Sequence, residues 1–196
     1  MMPMQQSWTP PVIPPNSSEY PLHPIYGVPM VSEATLNRYI HPLQAVGSIV
    51  PDPSAGTPPE GDIGTTVYRV APGGEQDFVT SDGFRHRFDV EIVFPSPSSG
   101  MWQGQDALKI HPEVAEYASQ QLLDHLNEAG ISTAGMTISP YRMIGGTPDR
   151  PWFLDQLVIH SQGNRDLAVS LNVAMRDPQY TVDTIREFLD TPLIPS

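Results

Sequence analysis

Cysteine is absent from this chain of 196 residues. Its absence excludes disulfide bridges, zinc sites built on thiolates and cysteine nucleophiles. No basic residue precedes Arg38, and no apolar run is long enough for a signal-peptide core or a membrane-spanning helix. The sequence therefore predicts a soluble, unprocessed protein that has no membrane partner.

Positive charge is scarce as well. The chain holds 10 lysine and arginine residues against 22 aspartate and glutamate residues, which gives a net charge of −12. A protein that grips nucleic acid or anionic lipid needs a basic patch that displaces counterions. We therefore expect no sequence-specific binding of nucleic acid. The acidic balance suits a soluble protein, and it equally suits a surface past which DNA moves without sticking.

Signatures of catalysis are also missing. The six histidines do not pair at short metal-ligand spacing, and no His-Glu-x-x-His, Gly-x-Ser-x-Gly or Ser-x-x-Lys motif occurs. Gly145-Gly146-Thr147 lacks the lysine of a phosphate-binding loop. We predict that the protein is not an enzyme and has no catalytic, cofactor-binding or metal-binding residues. An enzyme whose site is assembled from distant residues stays open as an alternative.

One predicted strand carries several titratable side chains. Asp89 and Glu91 fall on the same face as Arg85 and Arg87, which favours ion pairing on a solvated face over acid catalysis. His86 falls on the opposite, apolar face of this strand. That position predicts a hydrogen-bonded core histidine rather than a metal ligand.

Residues 1–62 are predicted to form an extended arm and linker, because they contain 13 of the 23 prolines. One short helix is predicted within them, from Glu33 to Ile40. Ser32 would be its N-cap, and His41-Pro42 would end it.

The arm is unusually apolar for a linker. Apolar side chains on a backbone that forms neither helix nor central strand gain stability only by covering another surface. We therefore expect residues 1–31 to lie across a neighbouring subunit. The interface candidates on the arm are Trp8, Ile13, Tyr20, Tyr26 and Met30.

Residues 63–196 are predicted to form one α+β domain. Its first part would contain a strand over 65–70 and a hairpin whose strands, 76–81 and 84–94, flank the turn signal Asp82-Gly83. A loop over 95–104 follows and adds two interface candidates, Met101 and Trp102.

The middle of this domain contains the main predicted helix, from Pro112 to Ala129, which begins with a proline and ends before Gly130. A brief strand over 106–110 precedes it. A strand over 136–144, placed at a sheet edge because Pro140 interrupts it, follows and leads into a loop over 145–151.

The last part has the clearest patterns. An apolar run over 152–160 predicts a strand, and period-two alternation over 167–175 predicts its hairpin partner. Asp177-Pro178 then supplies an N-cap and a first-turn proline for a final helix. Together the patterns predict an α+β fold, with a mostly antiparallel sheet, two covering helices and an extended Pro-rich N-terminal arm.

This C-terminal order of helix, strand, hairpin and helix resembles the small α+β ring proteins of long-tailed phage tails and necks. Tail-terminator proteins are the nearest type, and tail-tube and neck-connector proteins are close rivals. The stretches that carry the resemblance are Tyr141-Arg142-Met143-Ile144-Gly145-Gly146, Asp155-Gln156-Leu157-Val158-Ile159-His160, Val169 to Met175 and the last helix. The arm and the hairpin of residues 64–94 depart from the compact terminator pattern.

The resemblance implies a non-enzymatic structural protein of the virion, assembled in the host cytoplasm. Its partners would be copies of itself in a homo-oligomeric ring, often a hexamer, and other tail or neck proteins. DNA would pass through the lumen of the ring, and no cofactor is implied. One alternative is a soluble monomeric binding or immunity-type module whose arm docks on its own body. The other is the enzyme with a distributed site.

Overall fold

The fold is α+β with antiparallel pairing throughout its sheets, as the sequence predicts. The computed structural model describes residues 21–24, 26–51, 68–73, 76–94, 104–148, 150–163 and 165–191. Within these residues there are four α-helices, one more than predicted, and three separate sheets. None of the described helices combines the length and the apolar character that crossing a membrane requires.

The described residues contain four α-helices and seven strands. The helices are α1 (Glu33–Ala45), α2 (Pro112–Glu128), α3 (Leu171–Arg176) and α4 (Pro178–Asp190). The strands are β1 (Ile49–Pro51), β2 (Tyr68–Val70), β3 (Phe78–Val79), β4 (Arg85–His86), β5 (Thr137–Thr147), β6 (Arg150–Ser161) and β7 (Arg165–Ser170).

The largest sheet consists of β5, β6 and β7 in that order. The predicted hairpin between β6 and β7 is confirmed, and Gly163 takes a φ of 83° in its turn. The predicted edge position of β5 is also confirmed, with Pro140 paired to Leu157 on one side and no described strand of this sheet on the other.

The loop predicted over 145–151 is wrong, because β5 and β6 continue as a hairpin to Thr147 and Arg150. Gly145 lies opposite Trp152, which is completely buried. A Cβ atom at residue 145 would lie 2.1 Å from Cζ2 of the indole. The glycine is therefore explained by the space that the tryptophan ring occupies, and not by a turn.

The strand predicted over 167–175 is correct only as far as Ser170, where β7 ends and α3 begins. The Ser170 side chain accepts a hydrogen bond from Val173 N and caps the helix. Leu171 and Met175 then pack with the main helix, whereas Val173 packs on the other side of the sheet. The apolar residues over 171–175 therefore belong to a short helix that is buried on several sides, and not to one face of a strand.

Helices cover both faces of the three-stranded sheet. On one face, Leu157, Ile159, Leu167 and Val169 pack against α2 and α4. The residues that α2 buries lie along one side of the helix: Val114, Ala115, Ala118, Leu122 and Leu126. The predicted N-cap of α4 is confirmed too, because the Asp177 side chain accepts a hydrogen bond from Tyr180 N.

On the opposite face, α1 packs against Met143, Trp152 and Leu154. Ser32 caps this helix as predicted, but the helix continues through Pro42 to Ala45 instead of ending at His41-Pro42. The continuation buries Leu43 one turn beyond Tyr39 and Ile40, and this burial offsets the hydrogen bond that the proline cannot donate.

The segment predicted as arm and linker therefore contributes to the core. The β1 strand pairs with β2, and Ile49 and Val70 share a cluster with α1. The predicted boundary between residues 62 and 63 lies outside the described residues.

Two further predictions need correction. The Asp82-Gly83 hairpin exists, but its strands are only two residues long, so the strand predicted over 84–94 is reduced to Arg85–His86. Residues 104–108 form a 3-10 helix where a strand over 106–110 was expected.

Candidate functional site

The N-terminal segment enters the fold as a narrow hairpin. Leu22 pairs with Pro29, and His23 N donates a hydrogen bond to Val28 O at 2.9 Å. Gly27 N donates to His23 O at 2.7 Å, and the φ of 69° at Gly27 is one that glycine adopts without strain. This geometry returns the chain towards the edge of the large sheet.

At that edge the segment adds a short parallel bridge to β5. Met30 pairs with Ile144, and Val31 N donates to Ile144 O at 2.9 Å. Met30 is 6% exposed and packs in a cluster with Ala107, Ile144 and Phe153. The described end of the arm, residues 21–31, thus lies on its own chain.

The structure describes two of the seven interface candidates. Met30 is buried in the cluster just described, and Tyr26 is half-buried and stacks on His23 with ring centroids 4.7 Å apart. The other candidates lie outside the described residues: Trp8, Ile13, Tyr20, Met101 and Trp102.

A groove of about 520 Å³, called the edge groove below, separates β5 from the entering segment. Residues 27–29 form one wall, residues 140–142 and Ile144 form the other, and residues 108–110 with the start of α2 complete the lining. Most of this lining is apolar, with the exposed Lys109 on the rim. A volume of this size suits a few side chains of a peptide or a small apolar ligand.

The backbone of β5 faces this groove with unequal hydrogen-bonding capacity. In an antiparallel ladder, the N–H and C=O of one residue point to one side and those of the next residue to the other. Because Ile144 turns its carbonyl to Val31, Arg142 and Pro140 turn their backbone groups to the same side. Pro140 has a carbonyl but no N–H to offer there.

A buried ion pair supports this edge from the α2 side. Arg142 Nε and Nη2 donate to the two carboxylate oxygens of Asp155 at 2.7 and 2.9 Å, and Nη1 donates to Ala107 O at 3.0 Å. The guanidinium lies 4.5 Å from the centroid of the Phe153 ring. Burial disfavours the carboxylate, but the Arg142 charge and hydrogen bonds more than offset this, so the pKa of Asp155 falls below its usual value.

A second polar cluster lies buried near the start of α3, and it corrects a prediction. Glu91 was placed on a solvated face, yet it is completely buried, and its Oε2 accepts a hydrogen bond from Ser170 Oγ at 2.8 Å. Burial raises the pKa of Glu91 to about 8, so the side chain is mostly neutral at pH 7. Asp89, by contrast, pairs with Arg87 as predicted, and it also pairs with Arg69.

The prediction for His86 is confirmed. Its Nε2 lies 2.9 Å from Asn172 Oδ1, while Asn172 Nδ2 donates to Val90 O at 2.8 Å. Because the amide oxygen can only accept, Nε2 carries the proton. Burial lowers the pKa of His86, so the ring is a neutral core residue.

A third cluster joins the β3–β4 turn to the start of α2. One ligand atom each from Asp82, His111 and Glu113 lies within 4.8 Å of the others, a spacing that a metal ion could bridge. All three also fasten the turn to the helix. Ser81 N and Oγ donate to Glu113 at 3.0 and 2.6 Å, and His111 Nε2 lies 3.1 Å from Asp82 Oδ2.

The sequence did not predict this third cluster, because Asp82 lies 29 residues before His111. The only local signal was the start of the helix. His111 Nδ1 accepts from Glu113 N and caps α2. With Nδ1 occupied in this way, Nε2 is the protonated nitrogen that Asp82 accepts from. The arrangement works as a clamp without any further component.

The second polar cluster borders a small cavity. The described cavity that Tyr39 and Ser170 line has about 10 Å³, room for one water molecule at most. Comparison of the chain with protein-family models, with curated proteins and with solved structures finds no match.

Proposed function

We propose that this protein is a non-enzymatic structural component of a phage virion that assembles into a ring, of the tail-terminator or neck type. The observation that carries the proposal is the edge groove, an apolar opening beside an edge strand at the point where the N-terminal segment enters. Edge strands with unpaired backbone groups are the part of a sheet that most readily adds another chain.

The polar groups of the described residues support a structural role. Arg142 with Asp155, Glu91 with Ser170, and His86 with Asn172 are all buried in pairs that hold neighbouring elements together. Catalytic groups need a cavity that admits a substrate. In the described part of the chain, the lining of the apolar cavity at the edge groove contains no serine, threonine, histidine, aspartate or glutamate.

The ring and the virion role rest on the element order. The described order of α2, β5, the β6–β7 hairpin and α4 agrees with the pattern from which the resemblance was drawn, with α3 inserted before the last helix. The net charge of −12 supports a wall that DNA passes without binding.

A second candidate is a monomeric binding module that uses the edge groove for a partner. The observation in its favour is that residues 21–31 already pack on their own chain, with Met30 buried. A monomer of this kind would use the rest of the arm as a strap.

Electron micrographs of the purified full chain distinguish the two. We expect closed annular particles with a visible central opening, and class averages that show one rotational symmetry. Particles of the size of a single 21.6 kDa chain at micromolar concentration would contradict the ring and favour the module.

A further inference from the structure

We propose that the edge groove binds the Pro-rich segment of residues 8–15 from a neighbouring copy of this chain. The inference rests on the proposed assembly and adds to it the segment and the site that join two subunits. Its observations are the lining of the groove, the geometry of the β5 edge and the place where the described chain begins.

The lining of the groove and the Pro-rich segment are both mostly apolar. Val28, Pro29, Leu108, Ile110 and Ile144 present apolar groups to it, and Tyr141 adds an aromatic ring. Grooves lined by apolar and aromatic side chains bind proline-rich peptides, because such peptides are already extended and lose little entropy on docking. The segment itself reads Trp-Thr-Pro-Pro-Val-Ile-Pro-Pro.

Charge favours this segment over other parts of the chain as the contact. Two copies that each carry a net charge of −12 repel one another. Residues 1–18 contain no aspartate, glutamate, lysine or arginine. A contact made through them adds apolar area between subunits without bringing further like charges together.

The backbone of β5 also suits such a partner. Pro140 offers only a carbonyl towards the groove, and this acceptor needs an N–H group from an incoming segment but no carbonyl. Residues Val12 and Ile13 have N–H groups, and the prolines on either side of them have none. Met30 and Val31 already show that this edge accepts an extended segment in parallel orientation at Ile144.

The position of Pro21 sets how far the segment can reach. Met30 N donates to Pro21 O at 2.8 Å, so the described chain begins close to the groove wall that residues 27–29 build. The five residues 16–20 that join Pro21 to the segment span roughly 20 Å when extended, which reaches a groove of an adjacent subunit that lies close to this edge.

A peptide-binding experiment with matched variants tests this inference. A fluorescent peptide of residues 5–18 is titrated with the chain lacking residues 1–20, which keeps Met30 and Val31 in place. We expect saturable binding that Val28→Asp weakens by about tenfold or more, because a carboxylate would enter the apolar wall. Val79→Asp is the matched control, since Val79 is 51% exposed and does not line the groove; it should leave binding unchanged.

The oligomeric state of the full chain then shows whether the segment docks on a neighbouring copy or on its own chain. We expect Val28→Asp and removal of residues 1–20 each to shift the full-chain oligomer towards monomer, while Val79→Asp does not. A ring that survives both changes, or a peptide that does not bind, would overturn the inference and leave the proposed ring intact. A full chain that stays monomeric while the peptide binds would show docking on its own body, and would overturn both.

Discussion

Arg142 and Asp155 face each other across β5 and β6 as an ion pair with two hydrogen bonds, and their side chains are only 5% and 3% exposed. Arg142 also contacts two members of the cluster that contains Met30, through Ala107 O and the Phe153 ring. The pair therefore fixes the register of the strand that forms one wall of the edge groove.

We expect Asp155→Asn to lower the free energy of unfolding by about 3–5 kcal/mol, because it leaves the Arg142 charge buried without its partner. Urea denaturation followed by circular dichroism measures the loss. Asp183→Asn is the control, since Asp183 lies 3.6 Å from Arg186 in an exposed pair and should cost less than about 1 kcal/mol. Equal losses for the two variants would show that the buried pair is not formed.

Glu91 gives a prediction about pH. Its pKa in the folded chain is raised to about 8 from an ordinary value of 4.5. Between these values the unfolded chain loses the proton that the folded chain keeps, so this residue lowers stability as pH rises, by up to about 1.4 kcal/mol per pH unit.

Glu91→Gln removes that proton uptake. We expect the variant to gain stability relative to the natural chain steadily between pH 5 and pH 8, as measured by urea denaturation in a series of buffers. A difference between the two chains that stays constant over this range would mean that Glu91 is ionised in the fold.

Leu171 tests the corrected end of β7. The side chain is completely buried in the cluster that contains Leu122 and Leu126. We expect Leu171→Ala to cost about 2–5 kcal/mol in urea denaturation. Val46→Ala should change stability by less than about 0.5 kcal/mol, because Val46 is 58% exposed. A Leu171→Ala loss as small as that of the control would place Leu171 at the surface.

Gly145 tests the contact inside the β5–β6 hairpin. Gly145→Ala should cost about 1–3 kcal/mol or more, because the added methyl group would overlap the Trp152 ring. The same change in a Trp152→Leu background should cost much less, since the ring that it meets is gone. Thermal unfolding of the four chains gives the coupling, and an equal cost in both backgrounds would argue against the contact.

Local signals in the sequence were enough for much of this fold. Caps and first-turn prolines located the starts of α1, α2 and α4, and the Gly163 turn with its flanking apolar runs located the β6–β7 hairpin. These features depend on neighbouring residues alone, so pattern and propensity decide them.

The sequence did not predict the features that tertiary contacts decide. A pattern of alternating apolar residues over 167–175 cannot reveal that Ser170 caps a helix buried on several sides. Glu91 continues the row of charged residues that contains Asp89. Nothing in that row indicates that Glu91 would be buried and hydrogen-bonded to Ser170. The edge groove joins residues 27–29 to residues 140–144, and no local signal in the sequence links segments so far apart.

The mass of the full chain in solution tests the central proposal most directly. Light scattering coupled to size-exclusion chromatography, over loading concentrations that span two decades, measures this mass without a partner or a label. We predict one closed oligomer, with a hexamer at six times the 21.6 kDa chain mass as the expected size. A mass of one chain at every concentration would contradict it.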